Sequence, residues 1–491
     1  MKLKVRFLDW LAGVPVVMID EKTAIEIGVP TKGKVLLRSS SYPQREIMAI
    51  TNIVNGLIKK NEIAVSAEVK KELFLKKSQK IEVILGKTPK SIDIIKKKFN
   101  HKRLSEKEID IIIEDIVDNS LSDPEVALFV SAMYEQGMDM KETISLIKAI
   151  LRTGNKLIFK NKLVADKHSI GGIAGRTTPI VVSICAVAGL IMPKTSSRAI
   201  TSAAGTADII EAIAEVDFSA EEIKRIIKKT NACLVWGGSL GLAPADAKII
   251  RIEKELEMDP SAQLLASIIA KKLSVGSNYI IIDIPYGKTA KVNHKRALNL
   301  KYKFEKIGEY FHKNIKCVLV ENKGPLGNGV GPALELIDVI KVLSRRDPCH
   351  NLEKRSLELS GALLELTKKA KKGQGVLLAK KILDSGEAFL KFKQIIKEQR
   401  GDLNRIKIGD YKKDIFSKKT GKISEIDNRE INSLARLAGS PFYKGAGVFL
   451  HFHEGNKVKK GDKLLTVYAE SKNRLKQAVV FCKNHNPIKI K

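Results

Sequence analysis

Apolar and polar positions change their spacing three times along this chain. Up to residue 87 the apolar positions fall in short alternating runs, KVRFLDW, VPVVMI, KGKVLLRS, EIAVSAEV and KIEVIL, each bounded by Gly, Pro, Asn or Ser. A period of two broken by turn residues predicts a small β domain. Around Pro89 the spacing changes. SEKEIDIIIEDIVDNSLSDPEVALFVSAMYEQGMDMKETISLIKAILRTG carries apolar residues three and four apart, with Ser and Asp ahead of acidic first turns. That is helix periodicity with capping chemistry, and it predicts three or four helices from 91 to about 153. Beyond Lys156 the two patterns interleave. KLVADKH, ACLVWGG, YIIIDIP and KCVLVENK read as strands, and TPIVVSICAVAG, DIIEAIAEV, SAEEIKRIIKKT, SAQLLASIIAKKL and RALNLKYKFEKIGEYFHK read as helices. Such alternation predicts an α/β domain with a largely parallel sheet. From about residue 426, GVFLHFHEGNKVKKGDKLLTVYAES alternates around turns at Gly455-Asn456 and Gly461-Asp462, as a compact β-rich region does. Four regions follow: a β-rich domain over 1–87, a helical domain over 88–155, an α/β domain over 156–425 and a β-rich region over 426–491.

Composition narrows the setting. Cys185, Cys233, Cys317, Cys349 and Cys482 are scattered with no C-x-x-C pair. This argues against a disulfide framework or a zinc ribbon and fits a reducing cytosol. The longest uncharged apolar stretch, PIVVSICAVAGLIM at 179–192, is shorter than the roughly 18 residues of a membrane span. Asp9 interrupts the stretch after KLKVRF where a secretory leader would be apolar. The expectation is a cytoplasmic protein with no membrane contact. The net charge of +32 raises the question of nucleic acid. Yet the basic runs, KKKFNHKR, KKAKK and KKDIFSKK, lack interleaved aromatics, and no helix-turn-helix, zinc-finger or aromatic RNA-binding signature is present. A solvated lysine coat is the simpler reading. Between 160 and 260 there are 13 Lys and Arg against 12 Asp and Glu, so the basic excess lies outside this glycine-rich middle.

That middle holds two candidate sites. The first is DKHSIGGIAGRTT at 166–178, a strand end, then Gly171, Gly172 and Gly175, then a helix start. This layout aims backbone N–H groups and a helix N-terminus at an anion. Lys167 adds a charge, and Ser169, Thr177 and Thr178 add hydroxyl donors. The loop is neither a Walker A nor a G-x-G-x-x-G motif, and glycines at such a turn also serve packing alone. The second is KTSSRAITSAAGTAD at 194–208, six hydroxyls and Arg198 among small residues that let a ligand come close. Hydroxyls with an arginine suit phosphate or ribose oxygens; the blander alternative is a serine-rich helix cap. Together the clusters point to a site for two anions, or for one anion and a sugar.

DKHSIGG and KTSSRAITSAAGTAD, with CLVWGGSLGLAPADAKIIRIEKELEMDP, QLLASIIAKKLSVGSNYIIIDIPYGKTAKV and GNGVGPALE, resemble the thymidine/pyrimidine nucleoside phosphorylase family, specifically its AMP phosphorylase branch. The resemblance runs from about residue 88 to the C-terminus, and the N-terminal β domain also fits that branch. It implies an α/β fold class: a mixed, largely parallel sheet domain with a helical domain across a cleft, a small N-terminal β domain and a β-rich, barrel-like C-terminal domain used for assembly. Residues 244–274 would pack onto the helical domain. It implies phosphorolysis of AMP by inorganic phosphate to adenine and ribose 1,5-bisphosphate, with phosphate attacking C1′ with inversion. The substrates are small molecules, no cofactor or metal is needed, and the chain would self-associate to a dimer or larger homo-oligomer.

The site residues carried by the resemblance are specific. Lys167, Ser169 and Gly171 match the inorganic-phosphate site, and Thr206 the hydroxyl that starts a helix. Ser197, Arg198, Ala199, Ile200, Thr201 and Ser202 stand where nucleoside phosphorylases read SGRGLGHTGGT. The extra hydroxyls of Ser197, Thr201 and Ser202 suit a substrate carrying its own 5′-phosphate. Lys291, in GKTAKV, falls where nucleoside-cleaving relatives have an uncharged residue; by itself it is a loop lysine. Asp259 matches the proton donor to the leaving purine, although Asp-Pro ahead of SAQLLASIIAKK reads on its own as a helix cap. Ser267 and Lys271, four apart on one helix face, match base-contacting positions. Two departures stand out. Ile252 beside Arg251 occupies the place of an arginine in pyrimidine-cleaving relatives, which argues against a pyrimidine. GGIAGRTT is one residue shorter than the branch's loop and lacks its proline. Competing readings are a pyrimidine or thymidine nucleoside phosphorylase and a non-catalytic, nucleic-acid-binding relative. His451 and His453, two apart on an expected strand and without a third ligand, read as ordinary strand residues, and Cys233 and Trp236 as core beside the sheet.

Overall fold

The computed structural model describes all residues except 9, 41–42, 160–162, 172–174, 200–201 and 239. The chain forms two compact units, Met1–Thr153 with Pro244–Ala266, and Gly154–Ala243 with Ser267–Lys491.

The first unit begins with a closed barrel of six strands: Lys2–Phe7, Val16–Asp20, Lys34–Ser39, Glu46–Val54, Glu62–Val65 and Lys80–Leu85. Alternation puts Leu3, Val5, Val35, Leu37, Ile81 and Val83 inside, and closure leaves no strand edge open to another chain. Two features differ from the sequence reading. Glu46–Val54 is a strand that the polar Thr51-Asn52 pair concealed; it joins Val16–Asp20 in parallel and Lys34–Ser39 in antiparallel register. EIAVSAEV is only half strand, because Ser66 stands at the N-cap of the helix Ala67–Glu72. Four helices follow, Ser91–Phe99, Glu106–Val117, Asp123–Gln136 and Met140–Thr153. Ser105 with Glu108, and Ser122 with Glu125, form the expected caps. The chain returns to this unit as the helix Pro244–Leu256, where Lys248 Nζ donates to the terminal carbonyls of Ile116 and Val117 at 2.8 and 2.7 Å. A cation on a helix C-terminus is favourable placement.

The second unit is built on parallel strands. Asn314–Glu321, Tyr279–Tyr286 and Ala165–Ser169 pair in that order, and a Val164–Ile191 bridge carries the sheet on to Met192–Ser196 and Ala232–Trp236. All these pairings are parallel, so the carboxyl ends of the strands share one edge. In sheets of this kind ligands bind at that edge. The helix Thr178–Val187, buried from Thr178 to Ala186, packs with His350–Leu366, Gly375–Asp384 and Glu387–Glu398. These three helices, and Pro332–Ser344 before them, lie in a stretch whose lysine runs hid its apolar periodicity.

The C-terminal region is not strands alone. Gly329–Val330, Gly447–Leu450, Lys463–Ala469 and Tyr411–Phe416 form one antiparallel sheet, and Lys457–Val458, Gly421–Ile426 and Ile488–Ile490 a second. The helices Asn428–Ala438 and Lys472–His485 pack against them around Ile431, Leu434, Val448 and Val467. Gly455 and Gly461 turn with φ of +91° and +92°, as the turn reading requires. His451 and His453, expected on a strand, lie beyond the end of the strand at Leu450. His451 Nε2 meets Thr466 Oγ1 at 2.9 Å, and His453 Nε2 meets Asn328 Oδ1 at 2.7 Å. No helix among the described residues is long and apolar enough to cross a membrane.

Candidate active site

Lys167 lies in the strand Ala165–Ser169 with its side chain 1% exposed. A buried ammonium needs all three of its donors used. They go to Ser169 Oγ, to Thr177 Oγ1 at 2.6 Å and to Thr178 Oγ1 at 3.3 Å. Each accepting hydroxyl must turn its own hydrogen away from the lysine. Ser169 donates that hydrogen to Asp283 Oδ2 at 2.6 Å, and Asp283 is in turn paired with Arg355. Thr177 and Thr178 open the helix Thr178–Val187, so polarised hydroxyls, a lysine and a helix N-terminus converge on one spot. Burial lowers the Lys167 ammonium to about 8; Asp283 resists the drop, and Arg355 and Arg176 add to it. His168, next along the strand, is driven well below its ordinary value by burial and by Lys272, Lys194, Lys167 and Lys271. It is a neutral imidazole, and the local charge belongs to the lysine.

The glycine loop is held tightly where it is described. Gly175 has φ +95°, and a Cβ there would sit 1.6 Å from the Leu326 carbonyl oxygen, so only glycine fits. Gly171 is exposed at the strand end.

The hydroxyl-rich loop follows Met192–Ser196 on the same edge. One buried carboxylate organises it: Asp208 Oδ2 accepts from Ala199 N at 2.7 Å and Gly205 N at 2.8 Å. Gly205 is forced here too, with Ser197 O 2.5 Å from where a Cβ would be. Ser197 is exposed, while Ser202 and Thr206, the first residue of the helix Thr206–Glu211, are half-buried. Arg198 is paired with both oxygens of Glu211, which also binds Lys444 Nζ at 2.6 Å, and its guanidinium lies 4.9 Å from the Trp236 ring centroid. Ile200 and Thr201 lie outside the described residues.

On the helix Ser261–Ser274, Lys271 Nζ donates to Ser267 Oγ at 3.2 Å, so the expected one-face pair forms. Its neighbour Lys272 turns the other way, onto Asp166 Oδ2 at 2.8 Å, and Lys194 Nζ meets Asp166 Oδ1 at 3.0 Å. Although burial pushes the Asp166 carboxyl upward, these two lysines hold it below its ordinary value. This buried triad fixes the strand that carries Lys167 to the strand before the second loop. Lys291 is exposed just before the helix His294–Tyr310. Asp259 belongs to the first unit, half-buried, two residues ahead of the helix that starts at Ser261. Among the described residues no group of three or more His, Cys, Asp or Glu could hold a metal ion.

Comparison with known proteins identifies the architecture. Residues 92–154 match the glycosyl transferase family helical bundle domain, 161–278 the glycosyl transferase family a/b domain, and 422–489 the pyrimidine nucleoside phosphorylase C-terminal domain. The chain is similar along its whole length to AMP phosphorylase of Thermococcus kodakarensis, at 41% identity over 496 residues covering 100% of this chain and 98% of the relative. The chain belongs to the AMP phosphorylase family. AMP phosphorylase of Pyrococcus furiosus is also 41% identical over 100% of the chain and 98% of its own length. That of Methanococcus aeolicus is 39% identical over 99% of the chain and 97% of its own. A solved structure, anthranilate phosphoribosyltransferase from Thermus thermophilus, superposes with a TM-score of 0.53 at 18% identity, covering 63% of this chain and 99% of that one. The fold is shared with that enzyme; the family is that of the AMP phosphorylases.

Three residues that the sequence reading did not single out take part: Asp283 and Arg355 behind Ser169, and Asp208 in the second loop. An acid inside the apolar run YIIIDIPY was a readable signal for Asp283, and Asp208 three residues after Gly205 for a loop-closing cap. Arg355 carries no local mark.

Proposed function

We propose that this chain catalyses the phosphorolysis of AMP by inorganic phosphate to adenine and ribose 1,5-bisphosphate. One observation carries the reading: full-length identity of 41% to an AMP phosphorylase coincides with two anion-suited loops on one carboxyl edge of the parallel sheet. Inorganic phosphate would lie against Ser169, Gly171, Thr177 and Thr178, with Lys167 behind them supplying the charge. The 5′-phosphate of AMP would be held by the loop from Ser197 to Ser202, by Thr206 and by Lys291, while Ser267 and Lys271 face the base. Phosphate oxygen attacks C1′ as the bond to the purine breaks. The electron pair leaves with the base, and Asp259 delivers a proton to purine N7 so that adenine departs neutral. No metal or cofactor enters the scheme. Self-association to a dimer or larger and a cytoplasmic location complete the proposal.

Assayed with inorganic phosphate against a panel of nucleoside 5′-monophosphates and their nucleosides, AMP should be turned over at least tens of times faster than adenosine. Each lost charge-assisted hydrogen bond to the 5′-phosphate is worth roughly 1.5–3 kcal/mol. Phosphorolysis of thymidine with none of AMP would instead make the protein a pyrimidine nucleoside phosphorylase.

The lowered Lys167 value sets the pH dependence of the anion site. A group at about 8 in the free protein binds an anion only when protonated, so affinity is level below that pH. Above it affinity falls about tenfold per unit, because binding must then also take up a proton. Sulfate, whose own charge is constant through this range, should bind by itself equally well at pH 6 and 7 and progressively worse above about 8, read as its directly titrated dissociation constant. Sulfate affinity unchanged to pH 10 would separate Lys167 from the anion.

A further inference from the structure

The geometry points to Arg176 as a positioning residue that straps the glycine loop to the hydroxyl-rich loop, with Glu335 as its buried anchor. Its guanidinium is 14% exposed and reaches three elements at once. Nε lies 3.4 Å from Glu335 Oε2 on the helix Pro332–Ser344, Nη2 is 3.4 Å from Ser202 Oγ, and Nη1 donates to the Gly175 carbonyl at 3.2 Å. Glu335 is 0% exposed, and its other oxygen accepts from Gly331 N at 3.2 Å. The Gly175 N–H also points at this carboxylate. The root of Arg176 is therefore fixed by a glycine that only one backbone geometry allows, and its tip by a carboxylate with no access to water. Ser202 in turn donates to Ala204 O at 2.9 Å, and Ala203 N donates to Asn432 Oδ1 at 2.8 Å, so the far end of the strap is tied to the helix Asn428–Ala438.

The planar fork explains why an arginine serves here. A guanidinium presents donors in several fixed directions, whereas an ammonium on a flexible stem cannot hold two partners and a carbonyl in one plane. Burial lifts the Glu335 carboxyl to about 7 against the pull of Arg176. Without the guanidinium the Glu335 carboxyl loses the cation beside its Oε2, and the contact from Arg176 to Ser202 is lost with it. The inference rests on the phosphorolysis reading, in which one loop takes inorganic phosphate and the other the 5′-phosphate. The strap makes the two anion sites a single mechanical unit, so damage to it should appear at both.

The test is calorimetric titration of the full-length protein with inorganic phosphate alone and with AMP alone, for wild type, Arg176→Ala, Arg176→Lys and Glu335→Gln. Arg176→Ala and Arg176→Lys should each weaken both ligands, by about tenfold or more. Glu335→Gln keeps an acceptor for the loop N–H groups and so the fold, and should weaken both to a smaller extent. The Arg176→Ala, Glu335→Gln double variant should be no worse than Arg176→Ala, because the two residues act through one contact. Guanidinium ion at low millimolar concentration should restore binding to Arg176→Ala and not to Arg176→Lys, a rescue that general loss of packing would not show. Weakening of one ligand only, additive effects of the pair, or no rescue would overturn the strap. Wild-type turnover of AMP is scored separately: binding that behaves as described with no phosphorolysis would refute the activity and leave the strap standing.

Discussion

Asp259→Asn is expected to leave folding and AMP affinity nearly unchanged while turnover falls by about 10²–10⁴-fold. The range is that of a lost general acid. Asn caps a helix as well as Asp does, so an effect on stability would come from the capping role and an effect on rate from the proton. Asp259 stands just ahead of the helix Ser261–Ser274, where both readings apply. Single-turnover phosphorolysis, with AMP affinity measured independently, separates them, because an amide can hydrogen-bond to purine N7 but has no proton to give. Near-wild-type turnover would reduce Asp259 to a cap and place the donor elsewhere. A rate loss matched by an equal loss of AMP affinity would assign it to binding.

The second large effect is expected at Lys167. Its charge is held in the folded state at a cost: burial has brought its value from 10.5 to about 8. For a lysine whose folded value lies below the unfolded one, the destabilisation is complete below the folded value and vanishes above the unfolded one. At neutral pH the protein therefore keeps a charge that weakens the fold, which is the usual signature of a group retained for function. Lys167→Met removes the charge and keeps most of the volume. Its unfolding midpoint at pH 7 should equal or exceed that of wild type, while the apparent phosphate requirement rises by about 10- to 100-fold, as expected when a unit charge a few ångströms behind the anion is removed from a partly desolvated site. Lys167→Ala should show the same phosphate defect with lower stability, because it adds a cavity. A destabilised Met variant with unchanged phosphate kinetics would make the lysine a structural element.

Much of the fold was legible because local chemistry and global structure agree. Strand-end glycines, Pro179 at a helix start, Ser105–Glu108 and Ser122–Glu125 caps and the apolar runs ACLVWGG and YIIIDIP each announce what they form. The failures have particular causes. The strand Glu46–Val54 was hidden by the polar pair Thr51-Asn52, although Thr51 is 0% exposed and shares the buried face with Ile47 and Ala49. Residues 332–398 were hidden by lysines, although Leu352, Leu359, Leu363, Ala379 and Phe392 recur at helical spacing and are all 0% exposed. The C-terminal helices Asn428–Ala438 and Lys472–His485 were overlooked beside a strong strand pattern.

The site divides in the same way. Lys167, Ser169, Thr177 and Thr178 are close in sequence, and their convergence follows from a strand–loop–helix turn. Asp283 and Arg355 meet across 72 positions, and Arg176 reaches Glu335 on a helix far along the chain. No spacing rule connects residues joined only by the order of strands in a sheet. For Arg198 the sequence suggested a contact to phosphate or ribose oxygens; the structure pairs it with Glu211 and sets Lys444 on the same carboxylate. A phosphate reaching Arg198 must compete with that pairing.

The central claim is tested most directly by following wild-type protein with AMP and inorganic phosphate by phosphorus NMR. The account predicts that phosphate is consumed one for one with AMP. Adenine and a single sugar product carrying phosphate at both C1 and C5 should appear in equal amounts, with adenine released at least tens of times more slowly when adenosine replaces AMP at the same concentration. Appearance of ribose 5-phosphate without consumption of phosphate would mean that water attacks C1′. Equal rates on adenosine and AMP would mean that the loop from Ser197 to Ser202 does not read a 5′-phosphate, and either result would contradict the account.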